Sequence, residues 1–439
     1  MPAVPLSHRW PARLLIGALA VLVFAVQAPS EIRSGADSRW TVFVAWSLLS
    51  DHDPYLDEFT PQLARQQFLS TERIDDHFVS GYPIAISVLA LPFVALLDPL
   101  VGTLLPLPAR LLAERGDPLL VKAWTIESLI ASAWVALATV FVTLAACQRT
   151  TFPLALLTGL TFAFGTTAWS TASRGLWGHA PALLALAVAV WLVLQAPARP
   201  ALLGWVGLPL GLALAVRPQT WPIALALSGY VALGCRRQLP WLLGTLAIPV
   251  LPVLAYHCWL YGRPFSPYSS PGQLLTASDP LLALAGLLVS PSRGLVIYSP
   301  ILLVALVGAA ARWRAGQFGR LEAALALSVG LTLLMLASFA NWWGGHSFGP
   351  RLLTDLLPLL MVFLADGFEA IRRGGGGWRL LAGAAIVGLL LVSVAIHAIG
   401  ANTYAVNLWN SQPVNVDQNP ARLWSLRDAQ LLRYRPWIP

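Results

Sequence analysis

Residues 30–81 read SEIRSGADSRWTVFVAWSLLSDHDPYLDEFTPQLARQQFLSTERIDDHFVSG. They form almost the only long polar segment in a chain otherwise made of one hydrophobic run after another. The segment carries nine carboxylates (Glu31, Asp37, Asp51, Asp53, Asp57, Glu58, Glu72, Asp75 and Asp76) against four arginines. An apolar run, 14–28, precedes it directly. Asp37 therefore falls within about two turns of the end of a first membrane helix, level with lipid headgroups. An enzyme acting on a lipid-linked substrate needs a carboxylate at that depth, whereas a transporter would more often carry one at the bilayer midplane.

Composition agrees with a membrane protein. Of 439 residues, 57% are hydrophobic and 11% charged, with a mean hydropathy of +0.68. Soluble domains carry roughly 25% charged residues. The net charge of +8 comes from basic residues scattered in short loops, as the positive-inside rule requires, so nucleic-acid binding is not indicated. Cys147, Cys235 and Cys258 are isolated and make neither a disulfide framework nor a zinc motif. Arg9 and Arg13 precede the first apolar run, but no small-residue cleavage site follows, so an uncleaved helix with a cytoplasmic N-terminus is expected.

Further apolar runs lie near 82–106, 120–146, 153–169, 179–195, 201–216, 219–234, 240–260, 283–310, 320–340, 352–370 and 378–400. Four connections, 196–200, 234–240, 311–320 and 371–379, carry basic charge and no acid, which places them in the cytoplasm. The glycines at 374–377 form a flexible turn without phosphate-loop context. Counting back from these loops puts 170–178, 217–220, 261–282, 341–351 and the tail after Gly400 on the same outer face as 30–81. The parity does not close unless 82–113, where Pro92, Pro99, Pro106 and Pro108 interrupt the run, holds two short spans or a re-entrant piece. The expectation is an all-α transmembrane bundle of 11–13 spans. Its large first outer loop would carry interfacial helices near 40–49 and 61–69. The organisation is read as a catalytic membrane domain over 1–400 and an outer-face interfacial tail over 401–439.

Glycosyl transfer from a lipid phosphate needs a base, groups to stabilise the departing phosphate, and a place for the lipid. Asp37 is the candidate base, while Asp51, Asp53, Asp57 and Glu58 read as solvated charges, fallback bases or ligands for a divalent ion. A second cluster is Gly165-Thr166-Thr167-Ala168-Trp169-Ser170-Thr171-Ala172-Ser173-Arg174-Gly175-Leu176-Trp177-Gly178-His179, with its hydroxyls, Arg174, Trp177 and His179 at a helix junction. A third is Asn341-Trp342-Trp343-Gly344-Gly345-His346-Ser347-Phe348-Gly349-Pro350-Arg351, followed by Asp355. There, paired glycines allow backbone approach to an anion, Arg351 offers a planar fork, and Trp343 could stack on a sugar. Arg217 and Arg293 end outer spans beside proline or glycine and could hold a lipid phosphate or a phospholipid.

These residues resemble the bacterial GT-C membrane glycosyltransferases of the protein O-mannosyltransferase and aminoarabinose-transferase type. The similarity rests on Ser34-Gly35-Ala36-Asp37 with Leu56-Asp57-Glu58-Phe59, on Ser80-Gly81-Tyr82-Pro83, and on the second and third clusters, spread over about 10–400. It implies a polyprenyl-phosphate sugar donor, inversion at the anomeric carbon and a catalytic Asp matching Asp37, with Tyr82 among the substrate-contacting residues. Better-known relatives carry a second acid where this chain has Arg174, Trp177 and His179, so no metal or other cofactor is expected. The acceptor, whether glycan, lipid or protein, is not implied. The location implied is a bacterial inner membrane, with the site facing the periplasm or cell exterior. A transporter or translocase of lipid-linked sugars is the alternative, and a lipid-linked glycan polymerase or ligase shares the donor.

Overall fold

The computed structural model describes residues 10–32, 38–269, 272 and 275–434. α1 (Trp10–Gln27) leads into the polar segment. That segment folds as α2 (Thr41–Ser50), α3 (Thr60–Arg65) and an antiparallel hairpin of β1 (Thr71–Ile74) and β2 (His77–Ser80), with Thr71 opposite Ser80. α4 (Ile84–Leu97) and α5 (Ala109–Arg115) precede the 29-residue α6 (Pro118–Ala146). Then come α7 (Phe152–Phe164), the single turn α8 (Thr167–Ser170), α9 (His179–Gln195), and α10 (Leu202–Trp205) running into α11 (Gly207–Val216). α12 (Trp221–Gly234), α13 (Leu239–Tyr261), α14 (Pro280–Val289), α15 (Leu295–Tyr298) and α16 (Leu303–Arg314) follow. α17 (Arg320–Ala337), α18 (Leu357–Arg373) and α19 (Gly376–Asn402) complete the bundle, and α20 (Tyr404–Leu408) opens the tail.

Among the described residues, six helical segments are long and apolar enough to cross a membrane: Trp10–Gln27, Pro118–Ala146, Phe152–Ser170, Arg236–Tyr261, Arg320–Ala337 and Gly376–Asn402. Shorter apolar helices pack among them. The all-α polytopic class read from the sequence is the observed one.

Helices meet through small residues, as expected where lipid gives no hydrophobic drive for association. Gly308 of α16 lies so close to α18 that an added Cβ would sit 1.9 Å from Phe363 O, and Gly367 faces Val304 O at 2.2 Å. Gly207 and Gly211 of α11, spaced four apart, pack in the same way on Leu242 O and Leu246 O of α13.

Ion pairs identify one end of the bundle. Arg149, between α6 and α7, bridges Glu322 of α17 (2.7 Å) and Asp366 of α18 (2.8 Å), and Arg312 of α16 reaches Glu322 at 3.1 Å. Arg320 donates to Leu233 O at the end of α12. The basic connections therefore gather at this end, and the polar clusters at the other, here the site end.

The 82–117 stretch resolves the parity. Ile86, near the start of α4, lies beside His179 and Arg217 at the site end. Asp98, just past its last residue, pairs with Lys122 in the second turn of α6 (2.9 Å) and accepts from Trp46 of α2. Both ends of α4 thus lie at the site end, and the segment returns without crossing. The apolar run 283–310 also divides. Thr276 and Ala277 donate to Ser338 O at the end of α17, and Ser290 Oγ bonds Leu423 O in the tail, so α14 stays at the site end. With these removed, α1, α6, α7, α9, α11, α12, α13, α16, α17, α18 and α19 alternate between the two ends, eleven traverses.

Candidate functional site

The site grows from three helix junctions. α8 begins at Thr166, whose hydroxyl accepts from Ala168 N, and ends after one turn. The chain then passes through 171–178 before α9 starts at His179. Gly178 allows this passage to press against the end of α11, since a Cβ there would lie 2.7 Å from Val216 O. α11 stops at Arg217 because Pro218 follows and Arg217 itself is extended. The third junction is the 3-10 turn Arg351–Leu356, which presents Asp355 just before α18.

These junctions converge. Arg217 Nε donates to Asp355 Oδ2, and His179 Nδ1 lies 3.5 Å from Asp355 Oδ1, close enough for electrostatic attraction but long for a hydrogen bond. All three side chains are buried. Burial alone would raise the Asp355 pKa, but Arg217 and His179 beside it outweigh that and hold it below the ordinary carboxylate value. Arg351 lies over the Trp177 ring, 4.9 Å from its centre, and Trp177 meets His179 edge-on at 5.2 Å. A cavity of about 10 Å³, room for about one water, is lined by Tyr82, Trp177, His179, Arg217 and Tyr268, with Tyr82 and Tyr268 in edge contact at 4.9 Å, so a larger group would need these side chains to move apart. Arg217 Nη2, His179 Nδ1 and Asp355 Oδ1 are buried without a hydrogen-bond partner. Orphaned buried polar atoms carry a penalty of about 1–3 kcal/mol each and invite a ligand. Tyr82, Trp177, His179, Arg217 and Arg351 are thus brought together, with Asp355 added.

Asp37 lies outside the described residues, but the chain on each side of it is anchored. Ser38 Oγ donates to Glu127 Oε2 of α6 at 2.6 Å, and the same oxygen accepts from Leu176 N at 3.2 Å. Thr41 Oγ1 donates to Leu176 O. The residues directly after Asp37 are therefore fixed to the neighbour of Trp177. On the other side, Arg174 Nη2 donates to Gln27 O at the end of α1 and to Ser173 Oγ at 2.9 Å. Arg174 is a tie that sets where the chain leaves α1. A wider cavity of about 250 Å³ has Glu31, Ile32, Arg39 and His346 in its wall.

The other expected residues are held by the tail. Arg293 makes five hydrogen bonds, one for each guanidinium N–H: to Trp343 O, Ser292 O, Gln430 Oε1, Gly345 O and Asn410 Oδ1. No donor remains for a phosphate, so Arg293 joins three loops where the sequence suggested a lipid-phosphate ligand. Trp343 Nε1 donates to Asp417 Oδ1 at 2.8 Å and the ring is buried against Trp342, leaving no face for a sugar. His346 Nε2 lies 2.9 Å from Asn415 Oδ1. Asp57 is engaged with His77 Nδ1 at 2.5 Å and Phe78 N, and Glu58 accepts from Ser47. Among the described residues, no three His, Cys, Asp or Glu side chains group to hold a metal.

The fold has solved counterparts. ArnT from Cupriavidus metallidurans bound to undecaprenyl phosphate matches with a TM-score of 0.56 and 12% identity, over 96% of this chain and 73% of that one. The Archaeoglobus fulgidus oligosaccharyltransferase in its apo form matches at 0.47 and 11%, over 99% and 62%. The Saccharomyces cerevisiae protein O-mannosyltransferase Pmt1–Pmt2 complex bound to the sugar donor matches at 0.33 and 18%, over 60% and 33%. No protein-family model and no curated protein sequence matches. The chain has the polytopic all-α fold of the GT-C membrane glycosyltransferases, the superfamily its motifs resemble.

Proposed function

We propose that this protein is a membrane glycosyltransferase that moves a sugar, with inversion, from a polyprenyl-phosphate donor to an acceptor at the site end. We read that end as facing the periplasm or exterior of a bacterial inner membrane. One observation carries the reading. Arg217, His179, Trp177, Tyr82 and Arg351, distant in sequence, line or flank one small cavity with an unpartnered guanidinium nitrogen, Arg217 Nη2.

In this reading the donor phosphate sits against Arg217 Nη2 and Arg351, whose guanidiniums suit phosphate geometry. Asp355 holds Arg217 by Nε and leaves its outer nitrogen to face the phosphate. Asp37 takes the proton from the acceptor hydroxyl. The acceptor oxygen bonds to the anomeric carbon, the bond from that carbon to phosphate oxygen breaks, and its electron pair leaves on the phosphate. The two arginines stabilise that charge as it develops, which is where preorganised donors act most strongly. Ser38, Glu127 and Leu176 set the backbone next to Asp37. The fold match to a protein bound to undecaprenyl phosphate supports this donor class.

Three measurements test the proposal. Ser70→Cys should be labelled by a membrane-impermeant maleimide in intact cells, and labelling only after permeabilisation would reverse the topology. Purified protein in nanodiscs should bind undecaprenyl phosphate. Movement of an undecaprenyl-phosphate sugar across a vesicle with the sugar bond intact would favour a translocase instead.

A further inference from the structure

We propose that Gln430, in the C-terminal tail, is a positioning residue for Arg351: its side-chain amide clamps the 347–349 loop and so sets where the Arg351 guanidinium meets the donor phosphate. The inference rests on the donor-site reading above and adds to it a residue, far later in the chain, that acts without touching the phosphate.

The Gln430 side chain is fully buried, and its amide is used on both sides. Oε1 accepts from Gly349 N at 3.1 Å and from Arg293 Nη1 at 2.7 Å, with Tyr298 OH at 3.3 Å. Nε2 donates to Ser347 O and to Val406 O, each at 2.9 Å. Turning the amide over would set its NH2 against the Arg293 guanidinium and the Gly349 N–H, and its oxygen against two carbonyls, so one orientation is allowed. The residue is itself held, because Gln430 N donates to Ser292 Oγ at 3.2 Å. Both amide hydrogens and the oxygen are committed, which makes a clamp and leaves nothing for a ligand.

The clamp leads to Arg351 through a single residue. Gly349 N–H is held by Gln430, and Gly349 O accepts from Arg351 N at 2.9 Å. Gly349 has a φ of +59°, where L side chains are strained, and an added Cβ would lie 2.5 Å from the Tyr298 ring. The turn that launches Arg351 therefore has little freedom. Glycine gives it its shape, Tyr298 closes one side, and Gln430 fixes its amide. Arg351 then lies over Trp177, 4.9 Å from the ring centre.

The chemistry of the clamp is specific to glutamine. Asn carries the same amide but is one carbon short of the loop. Glu would keep an acceptor for Gly349 N and Arg293 and turn its second oxygen toward the carbonyls of Ser347 and Val406. Met would fill the space and leave the Gly349 N–H and both carbonyls without this partner, a penalty of about 1–3 kcal/mol for each orphaned group. A guanidinium gains from a phosphate only when its planar fork is aimed at it, so the loop that aims the fork matters as much as the charge it carries.

The test measures undecaprenyl phosphate binding to full-length protein in nanodiscs. Arg351→Ala should weaken it about ten- to a hundredfold, the range for a lost charge-assisted hydrogen bond. Gln430→Asn and Gln430→Met keep Arg351 but release its loop, and each should weaken binding about three- to tenfold. Gln430→Met is the harsher variant; where it fails to fold, Gln430→Asn carries the test. A purely structural role would lower binding whether or not Arg351 is present. Positioning does not: in Arg351→Ala protein, Gln430→Asn should change binding by less than about twofold, while in Arg217→Ala protein its effect should persist. Hydrogen exchange gives a readout on the unaltered chain. The wild-type peptide holding Gly349 should be protected, and its exchange should quicken at least about tenfold in Gln430→Asn. Unprotected exchange in the wild type, unchanged donor binding by Gln430→Asn, or the same loss with and without Arg351 overturns the proposal. Failure of the wild type to bind undecaprenyl phosphate, or unchanged binding by Arg351→Ala, strikes the donor-site reading and takes the proposal with it.

Discussion

The two ends of the bundle use the same residue types for different ends. At the end of the basic connections, each buried carboxylate is shared by two or more cations or donors, with Arg312 Nε left buried without a hydrogen-bond partner. Glu322 accepts from Arg149, Arg312 and Gly319 N, and Glu369 accepts from Arg372, Arg373 and Thr150. At the site end Asp355 engages Arg217 through one oxygen, while its other oxygen faces His179 Nδ1 at a long 3.5 Å and Arg217 Nη2 stays buried without a hydrogen-bond partner. A densely shared network holds helices in place. A sparser one costs stability and keeps binding capacity in reserve.

Breaking the chemistry should give the largest effect. Asp37→Asn keeps shape and removes the proton acceptor, so turnover in a lipid-linked sugar transfer assay should fall by about 10²–10⁴-fold with donor affinity little changed. Retention of more than about a tenth of turnover would remove Asp37 from the mechanism.

The charged pairs sharpen the contrast. Arg217→Ala removes the hydrogen-bonded cation from buried Asp355 and should cost about 3–5 kcal/mol in thermal or denaturant unfolding, whereas Arg149→Ala leaves Glu322 and Asp366 with Arg312 and should cost less. Only Arg217→Ala should also weaken undecaprenyl phosphate binding, by about ten- to a hundredfold. Equal donor binding by the two variants would erase the distinction between the ends.

Smaller effects follow from positioning and from pH. Glu127→Ala releases Ser38 and Leu176 N, so it should lower kcat by about tenfold and leave KM nearly unchanged, with Glu127→Gln recovering most of the loss because its amide oxygen still accepts. Asp355 has its folded pKa depressed. Its contribution to stability is therefore present above its unfolded value, about 3.9, and is lost as pH falls through the lower folded value. Donor binding and stability should be flat from about pH 5 to 8 and decline below about pH 4. A decline centred near neutrality would assign the control to another group.

Much of this was legible in the chain. Long unbroken apolar runs predicted α1, α6 and α19 because nothing interrupts them. Tyr82, Trp177, His179, Arg217 and Arg351 stood out because polar side chains at helix ends in an apolar chain need a reason. The return of α4 was legible only as one of two readings of 82–113, since Pro92 reads alike in a kinked span and in a segment that turns back. Nor was Glu127, which looks from sequence like a charge near one end of its helix; its partners lie 89 and 49 residues away. Arg293 misled for the same reason. Its local setting matches a lipid-phosphate arginine, but Asn410 and Gln430, 117 and 137 residues later, take the donors.

The central claim is that the junctions bearing His179, Arg217 and Arg351 form the donor phosphate site. An experimental structure of the full-length protein in nanodiscs with undecaprenyl phosphate bound tests it most directly. The account predicts phosphate oxygens within hydrogen-bond distance of Arg217 Nη2 and of the Arg351 guanidinium, with the Asp37 carboxylate facing the same cavity. A phosphate bound elsewhere, with Arg217 Nη2 still unpartnered, would contradict it.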